Sequence, residues 1–164
     1  MSEVYLGNPN LKKANTAIEF TEEQIIEFLK CKEDPVYFAN NYIKIVSLDE
    51  GLTQFHPYDF QEKLIHNFHE NRFNICKMPR QTGKSTTVVS YLLHYAVFND
   101  SVNIGILANK AATARELLQR LQTAYENLPK WMQQGILSWN KGSMELENGS
   151  KILAASTSAS AVRG

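Results

Sequence analysis

Hydrophobic residues recur with two different periods along the chain, and each change of period marks a predicted element. Short apolar runs at 73–78 and 102–107 are typical of buried strands. Apolar residues recur at helical spacing at 86–97 and again at 110–128. This order of strand, helix, strand and helix predicts an α/β fold, with parallel strands joined by right-handed crossovers.

Further helices are predicted before the first strand. Thr21 and Gln24 match a capping box, and Ile25, Ile26 and Leu29 then supply the apolar stripe of a helix.

Two prolines signal the next helix starts. Asp34-Pro35 provides an N-cap and a first helical residue, and Pro57 begins the helix that precedes the first strand. The polar segment 47–53 between them contains Gly51 and predicts a loop.

The C-terminal part of the chain predicts a hairpin. Asn148-Gly149 is a favoured turn dipeptide, and it joins the segments 143–147 and 151–154. The near-continuous apolar run at 102–107 predicts a sheet that is covered on both faces. Cys76 lies within the first predicted strand and is predicted to be a small buried residue.

The segment from Met78 to Ser85 reads Met-Pro-Arg-Gln-Thr-Gly-Lys-Ser. A strand, a turn, Gly-Lys-Ser and a helix form the context of a phosphate-binding loop, whose N–H groups and helix dipole attract phosphate. Lys84 then reaches the β- and γ-phosphates, and Ser85 ligates Mg²⁺. Met78 stands where the usual pattern has glycine. The alternative makes Lys84 a solvated residue in a first helical turn.

Length and charge limit the remaining possibilities. The 164 residues suit one domain, and 17 basic residues balance 17 acidic ones, so any DNA contact must be local. Cys31 and Cys76 are isolated cysteines, which fits a reducing compartment. The polar N-terminus does not resemble a signal peptide, and no apolar run has the length of a membrane span.

Several segments together resemble a known family. They are residues 34–42, 58–61, 80–85, 104–110, 139–143, 147–150 and 161–164. Their order resembles the N-terminal ATPase domain of the large terminase subunit, the DNA-packaging motor of tailed bacteriophages, and is most similar to that of large contractile-tailed phages. The resemblance implies a P-loop NTPase fold, a RecA/helicase-like parallel sheet flanked by helices. The fold is expected to be incomplete here, with N-terminal helices and a C-terminal β-hairpin.

The resemblance also implies site residues for ATP and Mg²⁺. Gln61 looks like the adenine-reading glutamine, with Tyr58 or Phe60 stacking on the base, and Arg80 looks like the arginine that senses the γ-phosphate. Arg80 and Lys84 are the implied catalytic residues. The implied phosphate and metal contacts are Gln81, Thr82, Gly83, Lys84, Ser85 and Thr86. The alternatives are a solvent-facing helix residue for Gln61 and a solvated turn residue for Arg80.

Two other segments carry the resemblance further. Ala108-Asn109-Lys110 resembles the motif that couples nucleotide state to DNA handling. Arg163-Gly164 matches an Arg-Gly that precedes the family's second acidic strand, and no catalytic role is assigned to Arg163.

The family hydrolyses ATP with an Asp-Glu pair at the end of a further strand, and no such pair follows Lys84. The acidic residues after it are Asp100, Glu116, Glu126, Glu145 and Glu147. We therefore expect the first part of a terminase, without its nuclease domain. Residues 1–56 would form an N-terminal helical segment packed on the ATPase core, and residues 57–164 the first part of that core.

The implied function is ATP-driven translocation of double-stranded DNA into a procapsid. Its implied partners are DNA, the portal protein and the small terminase subunit, in a ring oligomer docked on the procapsid in the host cytoplasm, with no membrane. Two alternatives stay open. One is a helicase-like DNA translocase, and the other is a nucleotide- or partner-binding module that does not hydrolyse ATP.

Overall fold

The computed structural model describes residues 3–47 and 49–157. The helices are a short 3-10 turn at Tyr5–Gly7, then α1 (Glu22–Glu33), α2 (Pro35–Tyr42), α3 (Asp59–Glu70), α4 (Lys84–Phe98) and α5 (Ala111–Glu126). The strands are β1 (Lys44–Ser47), β2 (Gly51–Gln54), β3 (Asn103–Ala108), β4 (Ile136–Trp139), β5 (Ser143–Leu146) and β6 (Lys151–Ser156). No helix within these ranges is long and apolar enough to cross a membrane.

The main sheet has four strands in the order β3-β6-β5-β4. The pair β3–β6 is parallel, with Ile104 opposite Ile152, whereas β5 pairs antiparallel with both β6 and β4. The sheet is therefore mixed. Its parallel pair is β3 and β6, and the consecutive strands β4, β5 and β6 pair antiparallel with their neighbours. Strands β1 and β2 form a separate antiparallel hairpin.

Helix α5 covers one face of the main sheet, where it packs against β3 and β6. Leu118, Leu121 and Tyr125 of this helix are buried in one cluster with Ile106 and Ile152 of those strands. Helix α4 packs against α5 on one side and against α2 and α3 on the other. The helix that carries the candidate phosphate loop is therefore held by the core of the protein.

The elements with clear periodicity form where the sequence predicts them. Helices α4 and α5, strand β3 and the capping box of α1 are confirmed. The hairpin turn at Asn148-Gly149 is confirmed as well, with φ 82° at Gly149. The Asn148 amide also donates to the carbonyls of Ala96 and Asn99, so the turn is tied to the end of α4.

Two predicted elements are wrong. Residues 73–78 form no strand, and Ile75 is 100% exposed. A strand requires backbone pairing, and no described strand pairs with this segment, since β3 pairs only with β6. The predicted loop at 47–53 is too long, since Ser47 ends β1 and residues 51–53 belong to β2, which pairs with β1 in a hairpin. Gly51, with φ 68°, allows the hairpin turn despite the polar sequence around it.

Three predictions of burial are also wrong. Within the described residues, one face of the main sheet is open at β3 and β6, where Leu107 and Leu153 are 43% and 50% exposed. The stripe of Ile25, Ile26 and Leu29 faces solvent, because α1 contacts the core through Phe28 and the buried Cys31. The Cys76 side chain is half-buried, since its segment lies outside the sheet. Arg163 and Gly164 lie outside the described residues.

Candidate functional site

The loop before α4 is shaped by two residues with left-handed backbone. Gln81 has φ 63° and Gly83 has φ 71°. Residues of this conformation in a short turn direct neighbouring N–H groups toward one side, which suits an anion. The Thr82 hydroxyl donates to the Pro79 carbonyl oxygen at 3.1 Å and closes the turn. The segment before α4 is thus a tight turn, although the strand that the sequence predicts before it is missing.

Helix α4 begins at Lys84, with Gly83 as its N-cap. Gly83 supplies no capping side chain, and the first turn of the helix contains no acidic residue. The first N–H groups of a helix have no partners within the helix, and the helix dipole favours negative charge there. The Lys84 ammonium donates to the Met78 carbonyl oxygen at 3.4 Å, so it reaches back across the loop. Ser85 and Thr86 follow in the same turn and are half-buried.

Gln61 lies in the first turn of α3 and contacts the loop directly. Its side chain is only 3% exposed. The amide nitrogen Nε2 donates to the Thr82 carbonyl oxygen at 3.2 Å, and the amide oxygen Oε1 accepts from the Tyr58 N–H at 2.9 Å. The solvent-facing alternative for Gln61 is therefore wrong. Both ends of its amide are bonded within the protein.

Tyr58 and Phe60 lie beside Gln61 and are open to solvent. Tyr58 is 71% exposed and Phe60 is 45% exposed. Their rings are stacked, with centroids 5.9 Å apart and an interplanar angle of 13°. Exposed aromatic faces next to a loop of this kind can stack on a planar base.

The segment of the chain that contains the loop is positively charged. Residues 71–99 contain no Asp or Glu but include Arg72, Lys77, Arg80 and Lys84. The ion pairs among the described residues are Lys12–Glu147, Arg120–Glu116 and Lys151–Glu145. Arg80 and Lys84 are thus free of carboxylate partners within the described part of the chain. Unpaired cations beside such a turn attract anionic ligands.

The carboxylates that follow the loop make contacts elsewhere. Glu147 accepts hydrogen bonds from the N–H groups of Gly135 and Asn15, both at 2.8 Å, and pairs with Lys12 at 3.1 Å. Burial alone would raise the pKa of Glu147, but these hydrogen bonds lower it below its ordinary value. Glu147 thus joins the N-terminal segment to the sheet. The sequence did not reveal this role, because the contact spans distant parts of the chain.

The segment Ala108-Asn109-Lys110 joins β3 to α5. Ala108 ends the strand, and its carbonyl accepts from the Thr157 N–H at 2.9 Å, while Lys110 is the N-cap residue of α5. The segment therefore follows the carboxyl end of a parallel strand. Ligands of open α/β sheets bind at that edge.

The loop, its helix and the sheet together define the class of the protein, a P-loop-like α/β fold. The structure is similar to the crystal structure of the HK97 bacteriophage large terminase, with a TM-score of 0.64 and 17% sequence identity. The match covers 81% of this chain and 29% of that chain. The likeness concerns the fold, and this chain spans less than a third of the length of the HK97 protein.

The sequence identifies the family within this class. The family described as terminase large subunit, T4likevirus-type, N-terminal, matches residues 75–164, which is more than half of the chain. The protein belongs to this terminase large subunit family. The family expected from the sequence is confirmed.

Proposed function

We propose that this protein is the ATP-binding part of a viral DNA-packaging motor, which couples ATP hydrolysis to the translocation of double-stranded DNA into a procapsid. The observation that carries the proposal is the loop before α4. Gly83 at its left-handed N-cap position, Lys84 in the first turn and the lack of Asp or Glu within residues 71–99 suit the phosphates of a nucleotide. Membership of the terminase family supplies the biological context.

The phosphates would bind at residues 81–86. Backbone N–H groups of the loop and of the first turn of α4 would donate to phosphate oxygens. Lys84 would exchange its bond to the Met78 carbonyl for the β- and γ-phosphates, because a charged acceptor binds an ammonium more strongly than a carbonyl does. Arg80 is exposed beside the loop and would contact the γ-phosphate with its planar guanidinium.

Ser85 fits the role of the protein ligand for Mg²⁺. Mg²⁺ takes oxygen ligands and usually binds through one or two protein groups together with waters and substrate phosphates. The Ser85 hydroxyl lies in the first turn of α4, next to the residues that would hold the phosphates. Bound Mg²⁺ would neutralise charge that develops on the phosphate oxygens.

The motor function would require partners. In this proposal the protein works in the host cytoplasm, as a ring oligomer docked transiently on the procapsid, with double-stranded DNA, the portal protein and the small terminase subunit. The balance of 17 basic and 17 acidic residues supports a local DNA contact rather than a general basic surface.

A second candidate is a nucleotide-binding module without turnover. Glu116, Glu145 and Glu147 are each engaged in an ion pair away from the loop, and Glu126 accepts from the Asn8 amide. None of these carboxylates is free to activate water in the described arrangement. A phosphate-release assay tests the second candidate, since release of phosphate from ATP by this chain would contradict it.

The proposal is tested by calorimetric titration of the protein with MgATP. Lys84→Ala should weaken binding by roughly ten- to a hundredfold, because hydrogen bonds to charged groups contribute about 1.5–3 kcal/mol. Lys77→Ala is the matched control, since it removes the same charge from an exposed position in the same segment. It should change the affinity less than about threefold.

Two results would overturn the assignment. In one, the wild-type protein shows no heat of binding with MgATP at any accessible concentration. In the other, the Lys84 variant binds MgATP as tightly as the Lys77 variant does.

A further inference from the structure

The side chain of Gln61 is clamped between the start of α3 and the phosphate loop. One end of the amide accepts from the Tyr58 N–H and the other donates to the Thr82 carbonyl. Both partners are backbone groups of fixed polarity, so the amide has only one satisfactory orientation. With 3% of the residue exposed, little of it is open to a ligand.

The loop fits closely around this amide. A Cβ atom added to Gly83 would lie 2.4 Å from Gln61 Nε2. Real Cβ atoms do not approach a nitrogen so closely, so any larger residue at this position would force the Gln61 amide to shift. Gln61 therefore contacts both the carbonyl before Gly83 and the Gly83 backbone itself.

The contact sets the direction of one particular N–H group. The described residues contain no cis peptide bonds, and in a trans peptide the C=O and the following N–H point in opposite directions. The Thr82 carbonyl points toward Gln61. The Gly83 N–H must therefore point away from α3, and the side chain of Gln61 determines this direction.

We propose that Gln61 is a positioning residue of the phosphate loop and does not read the adenine base. It turns the Thr82–Gly83 peptide so that the Gly83 N–H faces the phosphates. This inference rests on the proposed nucleotide site. It departs from the adenine-reading role that the family resemblance implies, because reading adenine requires a donor and an acceptor that are both accessible to the base. The exposed Tyr58–Phe60 stack is then the group that contacts the base.

The test compares three ligands, MgATP, MgGTP and magnesium tripolyphosphate, in calorimetric titrations. A positioning residue affects all three equally, because all three contain the phosphates. A base-reading residue affects ATP alone. Gln61→Met has nearly the same volume, adds no charge and removes both hydrogen bonds. It should weaken binding of each ligand by roughly three- to tenfold, the effect of a neutral hydrogen bond.

Gln61→Glu separates the two bonds of the amide. A Glu side chain can still accept from the Tyr58 N–H, as in an ordinary capping box, but it places an oxygen against the Thr82 carbonyl. This variant should weaken binding of all three ligands at least as much as Gln61→Met does. The matched control is Gln24→Glu, since Gln24 Oε1 accepts the corresponding N-cap N–H on α1 and lies far from the loop along the chain. It should leave all three affinities unchanged.

A second measurement needs no nucleotide. The N–H residual dipolar coupling of Gly83 in the ligand-free ¹⁵N-labelled protein reports the direction of this bond, and it should change in Gln61→Met but not in Gln24→Glu. An unchanged coupling at Gly83 in Gln61→Met would overturn the inference. So would a loss of affinity confined to MgATP. If the wild type binds none of the three ligands, the proposed nucleotide site fails, and the coupling still decides whether Gln61 positions the loop.

Discussion

Helices α1 and α3 begin with related capping arrangements that do different work. On α1, the Thr21 hydroxyl accepts from the Gln24 N–H at 3.2 Å and Gln24 Oε1 accepts from the Thr21 N–H at 3.1 Å, all on an exposed surface. On α3, Gln61 makes only the second of these bonds, to Tyr58, and is buried. Its remaining amide group bonds to the loop, 21 residues further along the chain.

The difference shows how a local capping signal becomes a tertiary contact. Tyr58 has no short side chain that could cap the helix in the way that Thr21 does. Within the cap, the Gln61 side chain therefore makes one hydrogen bond, in which its amide oxygen accepts from the Tyr58 N–H. Because Gln61 is buried beside the loop, its amide nitrogen also needs a partner, and the Thr82 carbonyl supplies it. The cap of α1 stabilises one helix, whereas the cap of α3 links a helix to the candidate site.

The largest effect is expected from Gly83→Ala. The alanine would adopt a left-handed backbone, which costs about 1–2 kcal/mol, and its Cβ would collide with Gln61 Nε2. Overpacking adds about 1–3 kcal/mol, so the free energy of unfolding should fall by about 3 kcal/mol in urea denaturation. Binding of MgATP should weaken as well, because the Gly83 N–H would change direction.

Gly51→Ala is the matched control for that prediction. Gly51 has φ 68°, but nothing lies within 4 Å of an added Cβ. This variant should lose only the strain of about 1–2 kcal/mol and should bind MgATP normally. Equal losses of stability in the two variants would mean that Gln61 does not press against Gly83.

A smaller effect is expected at the other end of α1, where the helix meets α4. His94 Nε2 donates to the Cys31 carbonyl at 2.8 Å, and burial lowers the pKa of His94 to about 4 from its ordinary value of 6.5. Between these values the unfolded chain binds a proton that the folded protein does not. Stability should therefore fall with decreasing pH, by about 2 kcal/mol from pH 7 to pH 5.

This pH dependence is measured by urea denaturation of paired variants at the two pH values. His94→Gln should lose the part of the dependence that belongs to His94. His66→Gln removes an exposed histidine of α3 and should keep the wild-type dependence. The assignment is wrong if both variants respond to pH alike.

The smallest effect is expected from Thr21→Ala. The loss of an exposed cap should cost about 1 kcal/mol of stability and should not change the affinity for MgATP. Thermal unfolding and calorimetry provide the two values. If Thr21→Ala weakened MgATP binding as strongly as Gln61→Met, the claim that only the cap of α3 acts on the candidate site would be wrong.

Much of the fold could be predicted from the sequence, where the signal lies within a few residues. The capping box at Thr21, the N-cap at Asp34 and the turn at Asn148-Gly149 each depend on neighbours along the chain, and all three are confirmed. The segment 73–78 has the apolar character of a strand, but it has no partner strand among the described residues. Hydrophobic pattern alone does not supply that partner.

The sequence likewise predicts only part of the candidate site. The position of the loop before α4 follows from Gly-Lys-Ser and the helix after it. The bond from Gln61 to Thr82 and the engagement of Glu147 with Gly135 depend on tertiary contacts, so the sequence did not reveal them. The roles of Arg80, Lys84 and Ser85 toward ATP and Mg²⁺ stay predictions.

The most direct test of a nucleotide site at the loop is a titration of the ¹⁵N-labelled protein with MgATP, followed by amide chemical shifts. The largest changes should occur at residues 81–86, with smaller ones near Tyr58 and Phe60. The protein also has a cavity of about 510 Å³ between β1, α4 and α5, lined in part by Ile45 and Arg120. Changes centred on Ile45 and Arg120, with residues 81–85 unaffected, would contradict the account.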